Sequence, residues 1–578
     1  MTPYGEISFL LSVSHTRKDM NSYNTKTLGN FVLKSMPVQL LLYNINSFDN
    51  SINPEEKMHT QSTTMEKEAS VKNGVFRMII AVISILINIL LFIWGVLWLN
   101  ETLWWVSAAM SLISLFVVLG IYSMHQTPSI KLTWIMLILA FPVAGIAFYL
   151  IVGMNRSTKT MRNRYKKIDE VLLPLLPDNA DVQKKLAEQN RQVAGITHYL
   201  KKYSGYPVYN NTDITYYDDA AKGLEAQKED LKKATEFIFM EYHAIEDAES
   251  WRGIQNILEE KVKEGVEVRV FYDDMGSIGF ITTDFVKRLN AKGIKAKVFN
   301  PFVPGLNLFL NNRDHRKITV IDGKVGFTGG YNIANEYFHL SEPFGYWKDT
   351  GIRLEGDAVR SLTVTFLEMW NAVKDSDIDD VAFDKYLKKY NYTSREQGYV
   401  LPYADSPMDN EQVGEEVYMS IAEMAHDYAW YITPYLIITD EMAHTLSLAA
   451  KRGVDVRIIT PGIPDKKIVY SLTRSYYNAL ARNGVRIFEY TPGFCHAKMS
   501  ISDDFVATCG TINMDYRSLY LHFENGCLYA GCDAVKQTKE DFERIFEVSN
   551  EVTDYYASGR GAFLRFGQLI LRLAAPLM

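Results

Sequence analysis

Two stretches of this 578-residue chain carry the same reactive side chains at the same spacing. In DHRKITVIDGK, residues 314–324, His315 is followed by Lys317 and Asp322. In FCHAKMSISDD, residues 494–504, His496 is followed by Lys498 and Asp503. The agreement continues downstream, where Gly329 and Gly510 lie fourteen residues beyond their histidines and Asn332 and Asn513 lie seventeen beyond. An imidazole is a good nucleophile near neutral pH. A second, protonated imidazole can donate to a departing alkoxide. Lysine ammonium and asparagine amide groups hold phosphoryl oxygens. Together the set suits substitution at a phosphodiester without a metal to stabilise charge, and the two rings are expected to titrate as a coupled pair. One such pattern on a strand is usually accidental. Two copies with matching Gly and Asn offsets are not.

The pattern HRKITVID reads as a strand, so His315 and Lys317, two apart, share one face. Asp322–Gly323 signals a hairpin turn, and KVGFTGG returns as the partner strand. The second copy repeats this with HAKMSISD, a turn at Asp503–Asp504, and FVATCG. Upstream, EFIFMEYH reads as a buried strand, AESWRGIQNILEEKVKEG as an amphipathic helix closed by Gly265, and VEVRVFYDD as the next strand. AWYITPYLII, EMAHTLSLAAKRG and VDVRIITPG follow in the same order in the second half. Gly265 and Gly453 are 188 residues apart and the two histidines 181, too long a period for a solenoid and right for a duplicated domain. The expected fold is therefore α/β, with two lobes of mixed sheet flanked by helices and related by a pseudo-twofold. A site at their seam needs both copies.

Hydrophobic content is 47% and charged content 22%, ordinary for a globular chain, but the average conceals a strongly apolar block. Three runs without a charge, 78–99, 103–121 and 132–153, are each close to the ~20 residues that span a hydrocarbon core. Trp94, Trp98, Trp104, Trp105 and Trp134 sit near run ends, as interfacial rings do. Pro142 and Gly145 also make the third run a candidate re-entrant segment. Arg156, Lys159, Arg162, Arg164, Lys166 and Lys167 follow it, which places this end, and the catalytic portion, on the cytoplasmic side, although Lys72 and Arg77 oppose a three-span arrangement. The expected organisation is a weakly ordered polar extension (1–75), transmembrane helices (76–155), a basic juxtamembrane linker (156–225), the two lobes (226–395 and 396–558) and a C-terminal amphipathic helix (559–578) lying on the bilayer. A net charge of −7 argues against nucleic acid as a partner. Cys495, Cys509, Cys527 and Cys532 form no C-x-x-C pair and read as reduced thiols. Cys495 beside His496 lacks a second ligand pair at zinc spacing, so no metal or other cofactor is expected.

With these residues in hand, the chain resembles the phospholipase D superfamily over about residues 230–550, through its twice-repeated HxKxxxxD. More narrowly it is similar to the bacterial cardiolipin synthases, on WIMLILAFPVAGIAFYLIVG, GVDVRIITPG, FCHAKMSISD and GTINMDYRSLYLHFENG. Thr511 stands where that superfamily's pattern has Ser, and Gly330 holds the same place in the first copy. The resemblance implies a cell-membrane phosphatidyltransferase that joins two phosphatidylglycerols into cardiolipin and releases glycerol. It implies His315 as nucleophile and His496 as acid and base, within the motif set His315, Lys317, Asp322, His496, Lys498 and Asp503. Lys317, Lys498, Asn332 and Asn513 would hold phosphate, while Asp322 and Asp503 would stabilise turns rather than touch it. Each ring needs a carboxylate on its other nitrogen; family pattern points to Asp349 for the first copy and Glu524 for the second. The alternatives are a membrane-bound phospholipase D-type hydrolase and a lipid-binding scaffold without turnover.

Overall fold

The computed structural model describes residues 104–577 apart from 125–126, 154–155, 302–311, 374–382, 410 and 559–565, together with Ile79, Ile83, Ile87 and Leu90. The polar extension and nearly all of the first apolar run lie outside the described residues.

The first lobe is built on strands β1 (Thr212–Tyr217), β2 (Phe237–Tyr242), β3 (Glu267–Asp273), β4 (Lys295–Phe299), the two-residue β5 (Arg313–Asp314), β6 (Lys317–Ile321), β7 (Val325–Gly329) and β8 (Gly351–Gly356). The second uses β9 (Tyr399–Asp405), β10 (Tyr428–Ile432), β11 (Asp455–Pro461), β12 (Arg486–Tyr490), β13 (Met499–Ser502), β14 (Val506–Gly510), β15 (His522–Ala530) and β16 (Ser549–Glu551). The first sheet runs β4-β3-β2-β6-β7-β8-β1, and the second repeats it as β12-β11-β10-β13-β14-β15-β9, with β16 beyond β12 and β5 of the first lobe added to β15. In both, the first three strands are mutually parallel and the rest antiparallel. This is the expected duplication in mixed sheets. β2 and β10 are buried on both faces, which is why their sequences are continuous apolar runs rather than alternating ones. The linker expected over 156–225 ends sooner, because TDITYY at 212–217 is the edge strand of the first sheet, paired with β8. Its partner lies over a hundred residues downstream, and local patterning carries no trace of so distant a pairing.

The apolar block departs from three simple spans. The second run forms helix α1 (Trp104–Ser123). The third breaks into α2 (Pro128–Ala140), α3 (Pro142–Phe148) and a π-helical turn, Tyr149–Gly153. Pro142 has no N–H with which to continue α2, and the chain folds back on itself. The Trp134 ring comes within 5.2 Å of Tyr149 and 5.6 Å of Phe148. Gly145 permits this approach, since a Cβ there would stand 2.6 Å from the Ile138 Cα. At 1.5 Å per residue α2 is about 20 Å long, short of a ~30 Å hydrocarbon core. Among the described residues no helix is long and apolar enough to cross a membrane.

This hairpin is tied to the second lobe. Thr133 Oγ1 donates to the Leu573 carbonyl at 2.9 Å. Helix α4 (Arg156–Leu172), rich in Arg and Lys, leads from the hairpin to the back of the first sheet. Helix α5 (Lys467–Arg482) of the second lobe carries the C-terminal helix α6 (Phe566–Ala574). Gln568 of α6 donates to the Ser471 carbonyl, and Arg572 lies over the Tyr476 ring at 4.3 Å. Ile570 and Leu573 remain 52% and 38% exposed, so α6 is docked on one side and apolar on the other.

One contact joins α4 to the catalytic strand. Arg316, between His315 and Lys317, points away from them into the core and is fully buried. Its guanidinium donates to the Tyr165 hydroxyl at 2.7 Å and the Thr365 carbonyl at 3.1 Å, with Glu241 at 3.7 Å. Tyr165 in turn donates to Glu368 at 3.2 Å. The corresponding residue of the second lobe is Ala497, so this buried charge belongs to one copy only. Removing the hydroxyl leaves a buried cation short of a partner. Tyr165→Phe should therefore lower the unfolding free energy by about 1–3 kcal/mol, measurable as a lower thermal midpoint in detergent.

Candidate active site

The two histidines sit where the lobes exchange backbone hydrogen bonds. His315 lies between β5 and β6, and its N–H donates to the Phe523 carbonyl at 2.9 Å. His496 precedes β13, and its N–H donates to the Lys348 carbonyl at 2.8 Å. The residues that follow these acceptors are Glu524 and Asp349. Each carboxylate is thus delivered to the opposite lobe's imidazole. His315 Nδ1 is 2.9 Å from both oxygens of Glu524, and His496 Nδ1 is 2.7 Å from Asp349 Oδ2. Both expected carboxylates serve the histidines, but the pairing is the reverse of that assigned from the sequence. The reason is the strand exchange, which no within-lobe pattern reveals.

The supports differ in one respect. Thr511 donates its hydroxyl to Glu524 Oε2. The equivalent Gly330 leaves that space to Asp349, whose Oδ1 would lie 2.1 Å from a Cβ built there. Asp349 Oδ1 accepts from the Thr350 N–H at 2.8 Å instead. The longer carboxylate is matched with a hydroxyl, the shorter with a glycine.

Lys317 and Lys498 each donate to the carbonyl of the histidine two residues before them, which fixes both ammonium groups on the histidine face. Burial, chiefly, pulls Lys317 down to about 7 and Lys498 down to about 8. Burial and the lysine charges hold His315 well below its ordinary value and His496 down to about 4, with Asp349 opposing the latter shift. His315 feels the charges of Lys498 and His496, and Lys317 those of Glu524, Lys498 and Asp349. These mutual influences bring both motifs into one electrostatic unit. His315 and His496 are 8% and 7% exposed, so the site is close to dry.

Asn332 and Asn513 are also buried. Asn332 accepts from the Ala244 N–H and donates to the Tyr337 hydroxyl at 2.9 Å, while the Asn513 Oδ1 has no partner among the described residues. Asp322 and Asp503 are not at the site, which corrects their place in the catalytic set. Each ends a strand whose other end carries the histidine, roughly 20 Å away at 3.3 Å per residue. Asp322 accepts from the N–H groups of Thr235, Glu236 and Phe237, and Asp503 from those of His426, Asp427 and Tyr428. Both take a positive φ, 54° and 50°, which Asp tolerates. They pin each hairpin turn to the start of the neighbouring strand.

Several residues at the site were not singled out by sequence. Tyr337, Trp347 and Phe494 enclose His496, with ring centroids 5.3, 5.7 and 5.9 Å away. His243 and His522 flank His315 at 4.9 and 5.6 Å. His522 alternates with Glu524 on β15 and so faces the same way, a signal present in LHFENG. His315, His522 and Glu524 each offer a ligand atom within 4.8 Å of the others. A cation is nevertheless poorly matched to them. Arg517 Nε donates to His522 Nε2 at 3.2 Å, which leaves the ring proton on Nδ1 with no lone pair to offer there, and two lysines crowd the same space. Cys495, Cys509 and Cys527 are buried free thiols.

These placements separate two kinds of substitution. Glu524→Gln should lower kcat by about 100-fold or more by freeing the ring, with little change in thermal midpoint. Asp322→Ala should do the converse, costing about 2–4 kcal/mol of stability through several unpaired N–H groups and leaving the folded fraction active. Paired melting curves and turnover assays distinguish them.

The site can be set beside known proteins. Residues 228–370 and 418–546 match the family described as "Cardiolipin synthase, PLD-like domain", and residues 109–153 match "Phospholipase_D-nuclease N-terminal". An uncharacterized protein of Streptococcus mutans is 43% identical over 447 residues, 77% of this chain and 96% of its own length. A cardiolipin synthase of Halalkalibacterium halodurans is 32% identical over 508 residues, 85% of this chain and 99% of its own. One of Alkalihalophilus pseudofirmus is 33% identical over 487 residues, 83% and 95% of the respective chains. Among solved structures, the phosphatidylserine synthase of Haemophilus influenzae has a TM-score of 0.50 at 15% identity, over 66% of this chain and 97% of its own, a likeness of fold. With both motifs intact, each histidine bonded to the opposite lobe's carboxylate and relatives of this kind matched over most of their length, the chain belongs to the cardiolipin synthases of the phospholipase D superfamily.

Proposed function

We propose that this enzyme transfers a phosphatidyl group from one phosphatidylglycerol to another in two steps. In the first, His315 Nε2 attacks phosphorus and the bond to the glycerol oxygen breaks. The negative charge of the bound phosphate favours the protonated form of His496, whose Nε2–H gives its proton to that oxygen, and glycerol leaves. In the second, the headgroup hydroxyl of another phosphatidylglycerol gives its proton to His496 Nε2 and attacks the phosphorus. The P–N bond breaks, releasing cardiolipin and restoring His315. The crossed imidazole–carboxylate pairs carry this reading. Each carboxylate faces Nδ1 and so leaves both Nε2 atoms for the substrate, and at His496 Lys498 Nζ also stands 2.9 Å from Nδ1. Lys317, Lys498 and the amides of Asn332 and Asn513 would neutralise the phosphoryl oxygens. Near-burial of both rings favours an alcohol acceptor over water, and so transfer over hydrolysis. The hairpin, α1 and the half-exposed apolar face of α6 fit a bilayer-embedded protein. The basic α4 fits a catalytic portion on the cytoplasmic face.

Purified protein given vesicles of phosphatidylglycerol alone should form cardiolipin and glycerol in equal amounts, with His315→Ala and His496→Ala each lowering the rate at least 1,000-fold. Phosphatidic acid as the main product would instead make this a hydrolase. The lysine shifts add a pH dependence. An ammonium held near 7 or 8 is charged below that value and neutral above it. The kcat/KM for an anionic lipid should therefore fall by about tenfold or more between pH 7 and 9, a limb that Lys317→Arg should push to higher pH because guanidinium does not titrate there.

A further inference from the structure

The surroundings of the two catalytic rings are not equivalent, and the difference falls on the partner of His315. His522 and Trp347 occupy matching positions, each two residues before the carboxylate of its lobe. Only His522 can hydrogen-bond to a carboxylate from that place with a ring nitrogen set on Cγ. Its side chain is 10% exposed, and burial pushes it down to about 3, so the ring is neutral and carries one proton. Arg517 donates to Nε2, and arginine has no other form. The proton is therefore on Nδ1. That Nδ1–H has no hydrogen-bond partner among the described residues and stands 3.6 Å from Glu524 Oε1. A closure of about 0.7 Å completes a bond of normal length.

We propose that Arg517 and His522 form a donor chain onto Glu524 that keeps the proton on His315 Nδ1 through the covalent intermediate, making His522 a positioning residue for the second transfer. The chemistry rests on the reading that His315 carries the phosphatidyl group. When the P–N bond breaks, the electron pair returns to Nε2. If Nδ1 still holds its proton, the ring departs as neutral imidazole. If the proton has passed to Glu524, it must depart as imidazolate, a far poorer leaving group. Each donor onto a carboxylate lowers its basicity. Glu524 already accepts from Thr511 on Oε2, and His522 addresses Oε1. As His315 gains positive charge on taking the phosphatidyl group, its Nδ1 proton becomes more acidic, and a donor onto Glu524 Oε1 opposes that proton's transfer. Asp349, whose ring never leaves a phosphorus atom, has the indole of Trp347 in the matching place.

The test uses full-length enzyme, vesicles of phosphatidylglycerol labelled in the phosphate, and rapid quenching in detergent at mildly alkaline pH, where a P–N bond survives, to recover the phosphatidyl-enzyme. His522→Leu should slow turnover about 10- to 100-fold and raise the labelled fraction on His315, because attack continues while release is delayed. His522→Asn should restore both, since the asparagine Nδ2 lies where the histidine Nδ1 lies. If the leucine variant does not fold, His522→Gln, which moves the N–H one bond outward, gives the same readout. Label on His315 that does not rise in His522→Leu or His522→Gln overturns the proposal alone, as does failure of His522→Asn to restore turnover. Label recovered on His496 in the wild type overturns the nucleophile assignment and the proposal with it.

Discussion

The catalytic centre depends on a pair of backbone hydrogen bonds, from His315 N–H to Phe523 and from His496 N–H to Lys348. Each lays the start of one lobe's carboxylate strand beside the other lobe's histidine. The side-chain bonds to Glu524 and Asp349 follow from that register, because the carboxylate is the next residue along in both cases. Neither lobe has a complete imidazole–carboxylate pair of its own. Duplication thus produced a mutual dependence rather than two sites. It also protects the geometry, since sliding one sheet against the other by a single residue would turn both carboxylates to the wrong face.

Much of this was legible in the sequence, and the limits have a common cause. The paired motifs, the matching Gly and Asn offsets, the hairpins and the helix–strand order are local, and the structure repeats them in two sheets of the same strand order. What escaped is long-range. Glu524 is closer in sequence to His496, yet the strand exchange gives it to His315. TDITYY reads as connection because its partner β8 lies far along the chain. Asp322 and Asp503 share a motif with the histidines, yet their carboxylates satisfy backbone N–H groups at the turns, the role that the sequence favours for them. The third apolar run, by contrast, turns back at Pro142 with a close fit at Gly145, the re-entrant arrangement for which those two residues made it a candidate.

The two copies have diverged where their duties differ. Arg316 is opposed by Ala497, Gly330 by Thr511, and Trp347 by His522. Arg316 ties the first catalytic strand to Tyr165 and hence to α4, the segment that leaves the hairpin. The aromatic enclosure of His496 and the polar, imidazole-rich surroundings of His315 differ in a way that fits the proposed division into proton carrier and nucleophile.

The bond between Thr133 and Leu573 spans 440 residues of sequence. At typical synthesis rates of 5–20 residues per second, roughly 20–90 s separate the emergence of its two ends. Throughout that interval the hairpin has been translated but lacks the helix that closes over it. A nascent chain of this kind must keep an apolar element sheltered, by lipid or by a chaperone, until the helix that carries Leu573 has emerged. Closure of the hairpin therefore waits on α6 and on the second-lobe helix α5 that carries it.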